Sequence, residues 1–240
     1  MTPSRLATAT GVALALAVSP GVCRAQVEFS SYVGLFAPAS DLAELIEIRE
    51  GPVSLTRVGV DTIVSRFEHQ SAATVGARLT VWLSTLLGLE AEVSHTIGTV
   101  QRTVESTFSL ERPRTTTDAT LFTATGRALL RLVLSDASTI HLLGGIGVLQ
   151  RGSDLYDEFR GTTDLTFVIG SGLSRQITPR IAIRLGLEDY LMSPGLHHRS
   201  PRQETLDDFL PATEIRRRTE NHVQHYLVLS SAVSISLSGL

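Results

Sequence analysis

Apolar and polar residues alternate strictly along residues 72–84, and this alternation constrains the fold more than any other feature of the chain. Side chains of a strand point to opposite faces at a period of two, so six consecutive matches leave little room for a helix. The apolar face of this segment consists of Ala73, Val75, Ala77, Leu79, Val81 and Leu83. The opposite face carries small or polar residues, including Gly76 and Arg78. The pattern predicts a long β-strand with two chemically different faces.

The same alternation recurs along the chain, and the links between the strands alternate between long and short. Strands are predicted at residues 27–36, 72–84, 87–94, 119–134, 140–149, 165–175, 181–190 and 224–238. Long polar links are predicted at 37–71, 97–117, 150–163 and 192–221, and a helical turn is expected at 41–48. A β-barrel that enters a membrane from one side has tight turns on one rim and long loops on the other. We therefore predict an all-β fold, an eight-stranded antiparallel up-and-down transmembrane β-barrel with short periplasmic turns and long extracellular loops.

The first 25 residues are typical of a secretory signal peptide. Arg5 supplies the positive n-region, residues 11–18 form a short apolar core, and residues 23–25 end in the small residue that a signal peptidase prefers. The apolar core is too short to span a bilayer as a helix, which takes about 20 residues. We expect a cleaved signal peptide at residues 1–25, a single barrel domain at 26–240, and export to the bacterial outer membrane.

Alternation alone does not say which face of the strands is inside the barrel. A soluble lipocalin-like barrel would place the apolar face inward. The polar faces are rich in Gly, Ser and Thr, which suit the narrow interior of an eight-stranded barrel. The apolar faces are uninterrupted over nearly the length that a tilted strand needs to cross hydrocarbon. Both observations favour apolar residues outside and polar residues inside, and the lipocalin-like barrel remains an alternative.

Charged residues recur on the predicted inner faces, where a charge needs a partner because little water is present. The set comprises Arg78, Glu90, Glu92, Arg127, Arg131, Arg184 and Glu188. Acids and bases on neighbouring strands predict a network of ion pairs that fills the lumen. The same residues are compatible with a narrow ion path that the pairs gate.

The loops offer weaker candidates for sites. Every basic residue of the chain is Arg, and Arg216, Arg217 and Arg218 form a run in the last long link, where guanidinium groups could contact lipopolysaccharide phosphates. The formal net charge is −3, which does not favour nucleic-acid binding. His197, His198, His222 and His225 lie around the same link, but a metal site needs convergent ligands of fixed geometry and polar loop histidines are commoner. Neither a cofactor motif nor a catalytic set is recognisable. We expect no metal, no cofactor and no catalysis.

The chain resembles small bacterial outer-membrane β-barrels of the OmpA, OmpX and OmpW kind over residues 26–240. The resemblance rests on the opening VEFSSYVGLFAP, on the segment FVIGSGLSRQITPRIAIRLGLEDY and on the serine-rich closing strand. It implies an outer-membrane location and roles that range from surface anchoring to passage of small solutes. We expect a monomeric structural or surface-interaction protein in contact with lipid and lipopolysaccharide, with an extracellular partner bound through the loops. A narrow porin-like conduit and a lipid-modifying enzyme are the alternatives.

Overall fold

Antiparallel strands account for most of the chain in the computed structural model. The structure describes residues 26–40, 42–54, 57–106, 112–153, 159–160, 162–192, 197–198, 214–220 and 223–237, so the predicted signal peptide lies outside the described residues. The strands are β1 Gln26–Pro38, β2 Ala43–Ser54, β3 Arg57–His69, β4 Ala72–Trp82, β5 Leu87–Ser106, β6 Arg114–Ser135, β7 Ser138–Gly152, β8 Phe159–Arg160, β9 Thr163–Thr178, β10 Ile181–Met192, β11 His197–His198, β12 Glu214–Glu220 and β13 Gln224–Ser236.

Eight of these strands close into a ring. The order around the ring is β1, β4, β5, β6, β7, β9, β10 and β13, and β13 pairs with β1 to complete it. Every pairing in the ring is antiparallel, and each ring strand coincides with one of the eight predicted from alternation. The predicted eight-stranded antiparallel barrel is therefore confirmed. Closure matters physically because it removes the free sheet edges that an open sheet of this size would expose.

Tight turns join the ring strands at one rim. The connections are 83–86, 136–137 and 179–180, and the two ends of the described barrel lie at the same rim. The hydroxyl of Ser84 accepts hydrogen bonds from the backbone N–H groups of Leu86 and Leu87. Thr178 accepts in the same way from Arg180 and Ile181. Short polar side chains thus satisfy the backbone of these turns, as turn sequences generally require.

The opposite rim carries an extension of the sheet where the sequence predicted loops. β5 and β6 continue past the ring as a hairpin, and β3, β2 and β12 add to β5 in that order. The predicted long polar links at 37–71, 97–117 and 192–221 are wrong where β2, β3, β12 and the outer ends of β5 and β6 form strands, and the helical turn expected at 41–48 is wrong because β2 begins at Ala43. An eight-residue segment forms only a marginal helix by itself, and β3 offers it a complete ladder of hydrogen bonds instead.

A small apolar cluster holds the extension against the top of the barrel. It consists of Leu42, Leu45, Phe67, Val100 and Ala119, each no more than 4% exposed. These residues come from the connection after β1 and from β2, β3, β5 and β6. Burial of their side chains, at roughly 25 cal/mol per Å² of apolar surface, stabilises the extension.

Most of the outer surface of the ring is apolar. Leu79, Leu130 and Ile183 are 45%, 37% and 44% exposed on the outside, whereas Arg78 and Glu188 on the same strands are buried inside. A lipocalin-like arrangement would have placed the three apolar residues together at the centre, so that alternative is wrong. Among the residues that the structure covers, no helix has the length and apolar character needed to cross a bilayer.

Candidate functional site

Arg78 occupies the centre of the lumen and is 1% exposed. It projects inward from β4, directly opposite Glu92 on β5, and its Nε donates to Glu92 Oε2 at 2.7 Å. Its Nη2 donates to Glu188 Oε1 at 2.7 Å and to the hydroxyl of Ser230 at 3.3 Å. The guanidinium carbon lies 4.2 Å from the centroid of the Tyr32 ring. Arg78 therefore links strands from both sides of the barrel through two carboxylates.

Arg127 enters the same space from β6. Its Nη1 is paired with Glu92, lies 3.1 Å from Glu188 Oε2 and lies 3.6 Å from Glu90 Oε1. Its Nη2 donates to the hydroxyl of Tyr190. All four ionised side chains are at most 1% exposed. Arg127 is thus surrounded by carboxylates in a space that excludes water.

Arg184 completes this layer from β10. Its Nη1 donates to Glu90 Oε2 at 2.6 Å, and the hydroxyl of Thr80 donates to the same oxygen at 2.8 Å. Three arginines and three glutamates therefore form one connected set with no net charge, which we call the central layer: Arg78, Arg127, Arg184, Glu90, Glu92 and Glu188.

Two tyrosines belong to the central layer and were missing from the sequence-based set. Tyr32 donates to Glu92 Oε1 at 2.9 Å, and Tyr190 donates to the same oxygen at 2.7 Å. Tyr190 also lies within 3.0 Å of Glu188 Oε2. Carboxylates buried this deeply need several donors to offset the loss of water. The clue in the sequence was that both tyrosines fall on the polar faces of their strands.

Arg131 lies apart from the central layer, near the rim of short turns. Its Nη2 pairs with Glu28 at 3.2 Å, and both side chains keep 19% of their surface exposed. Its guanidinium lies 3.4 Å from the centroid of the Trp82 ring, and the ring of His141 lies 5.7 Å from that of Trp82. Arg131 therefore belongs to a separate pair at the mouth, with a partner that the sequence-based set did not include.

A second buried pair closes the lumen toward the long-loop rim. Arg151 forms an ion pair with Asp164 and donates to Gln224 Oε1 at 3.1 Å. Gln224 in turn donates to the backbone carbonyl of Leu42 and accepts from the hydroxyl of Tyr226 at 2.7 Å. The sequence analysis missed this group because Arg151 fell in a predicted loop, and only strand pairing brings it to Asp164.

His69 lies beyond the ring, on β3 of the extension, beside Phe36 and Tyr226. Burial, together with the smaller effect of the positive charge of Arg151, lowers the pKa of His69 from 6.5 to about 3. The imidazole is consequently neutral at physiological pH, and its protonation would destabilise the folded state.

Two spaces of unequal size lie along the lumen. A cavity of about 210 Å³ lies on the short-turn side, whereas a void of only about 10 Å³ lies between Tyr190 and Tyr226 on the other side. The central layer separates the two. In the part of the barrel that the structure covers, buried side chains therefore interrupt any continuous path along the axis.

The remaining candidate residues, which the sequence predicted in the last long link, lie in two short strands. Arg216, Arg217 and Arg218 lie in β12, paired with Ile48, Glu47 and Ile46 of β2. His197 and His198 form β11, which pairs with β8. Among the described positions, no group of three or more His, Cys, Asp or Glu side chains is placed to hold a metal ion.

Comparison with known proteins shows the fold and no more. No family model and no curated protein matches the chain. The outer membrane protein OprG from Pseudomonas aeruginosa superposes with a TM-score of 0.50 at 8% identity, covering 87% of this chain and 95% of OprG. Neisserial surface protein A gives a TM-score of 0.45 at 10% identity, covering 86% of this chain and 96% of that protein. The chain is thus similar to a solved outer-membrane protein in fold, and that fold is an eight-stranded antiparallel β-barrel.

Proposed function

We propose that this chain is an integral outer-membrane protein with a closed lumen and a non-catalytic structural or surface-interaction role. The observation that carries the proposal is the central layer, whose ion pairs cross the barrel between strands that are not neighbours in the ring. Such a plug blocks passage along the axis, so we place the role of the protein in contacts made at its surface, for which the long-loop side offers the sheet extension.

The outer surface supports the location in a membrane. Exposed Leu, Ile, Val and Phe side chains encircle the ring, and the charged residues of the central layer point inside. Asp189 and His225 form a pair on the outer face close to the rim of long loops. Hydrocarbon is the solvent in which this distribution is favourable, because water would leave a large apolar patch unprotected. Residues 1–25 would act as the cleaved signal for export, and the barrel would act as a monomer among lipid and lipopolysaccharide.

The sheet extension supports the surface role. β2, β3 and β12 project from the rim of long loops, and the run Arg216–Arg218 lies on the outermost of these strands. Arginine forks bind phosphates well, so we assign lipopolysaccharide phosphates as the contacts of this run. An extracellular partner would meet the same extension.

Three measurements test the proposal together. Protease treatment of whole cells should cut the extension and leave the ring strands protected, and purified protein should migrate faster on a gel before boiling than after. In planar bilayers the wild-type protein should give no steady current. A stable conductance would contradict the closed lumen, and cleavage restricted to permeabilised cells would contradict the surface role.

The second candidate function is a narrow conduit. The observation that favours it is the cavity of about 210 Å³, which reaches the central layer from one side. A rearrangement of that single layer would join the cavity to the opposite rim. A steady current from the wild-type protein in planar bilayers at neutral pH would favour the conduit over the closed lumen.

A further inference from the structure

The cavity of about 210 Å³ opens at the rim of short turns and is lined mainly by polar side chains. Arg184 forms part of its lining, next to Glu90 of the central layer, and Arg131, His141 and Gln176 contribute to its walls. One water molecule takes up about 30 Å³ in the liquid, so the space admits an ion of phosphate size together with water.

Arg184 borders this cavity with part of its guanidinium unused. The residue is 4% exposed, and its Nη1 donates to Glu90. Its Nε and Nη2 are buried and have no hydrogen-bond partner among the described residues, so a ligand in the cavity would reach them once the side chain turns toward it. These two nitrogens form the side-on fork of an arginine, whose parallel N–H groups match the two oxygens of a carboxylate or phosphate.

Other buried groups near the mouth are also short of acceptors. The Nε of Arg131 and the Nε1 of Trp82 lack a hydrogen-bond partner in the part of the chain that the structure describes. Both groups are N–H donors, and leaving a buried donor unsatisfied costs free energy. Arginine also outnumbers acid in the cavity lining, since Arg131, Arg180 and Arg184 face Glu28 and Asp136.

We propose that the cavity at the short-turn rim is a binding site for a small oxyanion, held by the Nε and Nη2 fork of Arg184. Free phosphate and the phosphate of a lipid headgroup present the same oxygens to this fork. The inference does not depend on the role of the loops, because the cavity is at the opposite end of the barrel.

The single tryptophan of the chain provides a probe for this site. Trp82 contacts Arg131 and lies close to His141, both of which line the cavity. Inorganic phosphate titrated into the full-length protein in a neutral, phosphate-free detergent should change Trp82 fluorescence saturably and release measurable heat. Sodium chloride at equal ionic strength should not reproduce the change.

Three variants distinguish phosphate binding by the Arg184 fork from general attraction by the positive charge of the cavity. Arg184→Lys keeps a cation beside Glu90 but removes the fork, and should weaken phosphate binding by about tenfold or more. Gln176→Glu adds a negative charge at the cavity wall and should also weaken it. Arg112→Lys, which changes an arginine 70% exposed on the far side of the barrel, should bind as wild type does.

Two arms of the experiment distinguish the source of the oxyanion. Saturable binding of inorganic phosphate identifies a free anion as sufficient. Binding only of short-chain phosphatidylglycerol, lost in Arg184→Lys, identifies a lipid headgroup. If wild-type protein saturates with neither probe, water alone satisfies these donors and the proposal is wrong. Equal affinity of wild type and of Arg184→Lys that migrates as folded on an unboiled gel would also overturn it.

Discussion

The Nη2 of Arg78 lies 2.7 Å from Glu188 Oε1, although β4 and β10 are separated in the ring by β1 and β13. The contact therefore spans the lumen instead of following the sheet. Arg127 on β6 reaches the same glutamate from the other side. One carboxylate thus ties three distant strands together, and the ion pairs act as both the core of the barrel and its seal.

Conductance should respond to Arg127 and much less to Arg131. Arg127→Ser removes a buried guanidinium that contacts all three glutamates of the central layer, so water and ions should enter and raise the current in planar bilayers. Arg131→Ser affects a pair that is still 19% exposed at the mouth, and should leave the current near the wild-type level. Equal currents from the two variants would show that the central layer is not the seal.

Stability should depend strongly on Arg78. Arg78→Met keeps most of the side-chain volume but removes one of the two cations that Glu92 and Glu188 share, the other being Arg127. Breaking a buried pair in this way costs about 3–5 kcal/mol. Arg112→Met removes an exposed partner of Glu105 and should cost at most about 1 kcal/mol. Urea unfolding, followed by the loss of the fast-migrating form on gels, measures both. Similar midpoints for the two variants would contradict the structural weight given to Arg78.

Acid should destabilise the fold through His69. The unfolded histidine titrates near pH 6.5 and the folded one at about 3, so between these values the unfolded state binds the extra proton. Stability from this residue is complete above pH 6.5 and is lost as the pH falls, by about 1.4 kcal/mol for each pH unit. Urea midpoints at pH 7 and pH 4.5 should differ less in His69→Gln than in wild type. The same pH dependence in both proteins would assign the effect to other groups.

A charge on the outer surface should impair insertion according to its depth. Leu79 points outward between exposed apolar neighbours on β1 and β5, and Leu79→Arg should cost about 2–4 kcal/mol if hydrocarbon surrounds the ring. Val223 is 57% exposed just before β13, at the rim of long loops, and Val223→Arg should cost about 1 kcal/mol or less. Folding yield into lipid vesicles provides the measurement, and equal yields would argue against a membrane around Leu79.

Alternation in the sequence was sufficient for the ring and for the faces of its strands. A period of two assigns each side chain to a face, and the contrast between uninterrupted apolar faces and faces of Gly, Ser, Thr and isolated charges was strong enough to indicate which one lies inside. For the same reason Arg78, Glu92 and Arg127 could be placed in the lumen before their contacts were known. These are local properties, because neighbours along one strand determine them.

The sheet extension and the pairing of charges were decided by tertiary structure. Clean alternation is missing in β2, β3 and the upper part of β5, because both faces of these strands carry polar residues. The hydrogen-bond ladder to a neighbouring strand keeps them extended. Strand register and the width of the lumen determine which carboxylate pairs with which guanidinium. They pair Arg131 with Glu28 and Arg151 with Asp164. Periodicity records the direction of a side chain, whereas only the closed ring determines what lies across from it.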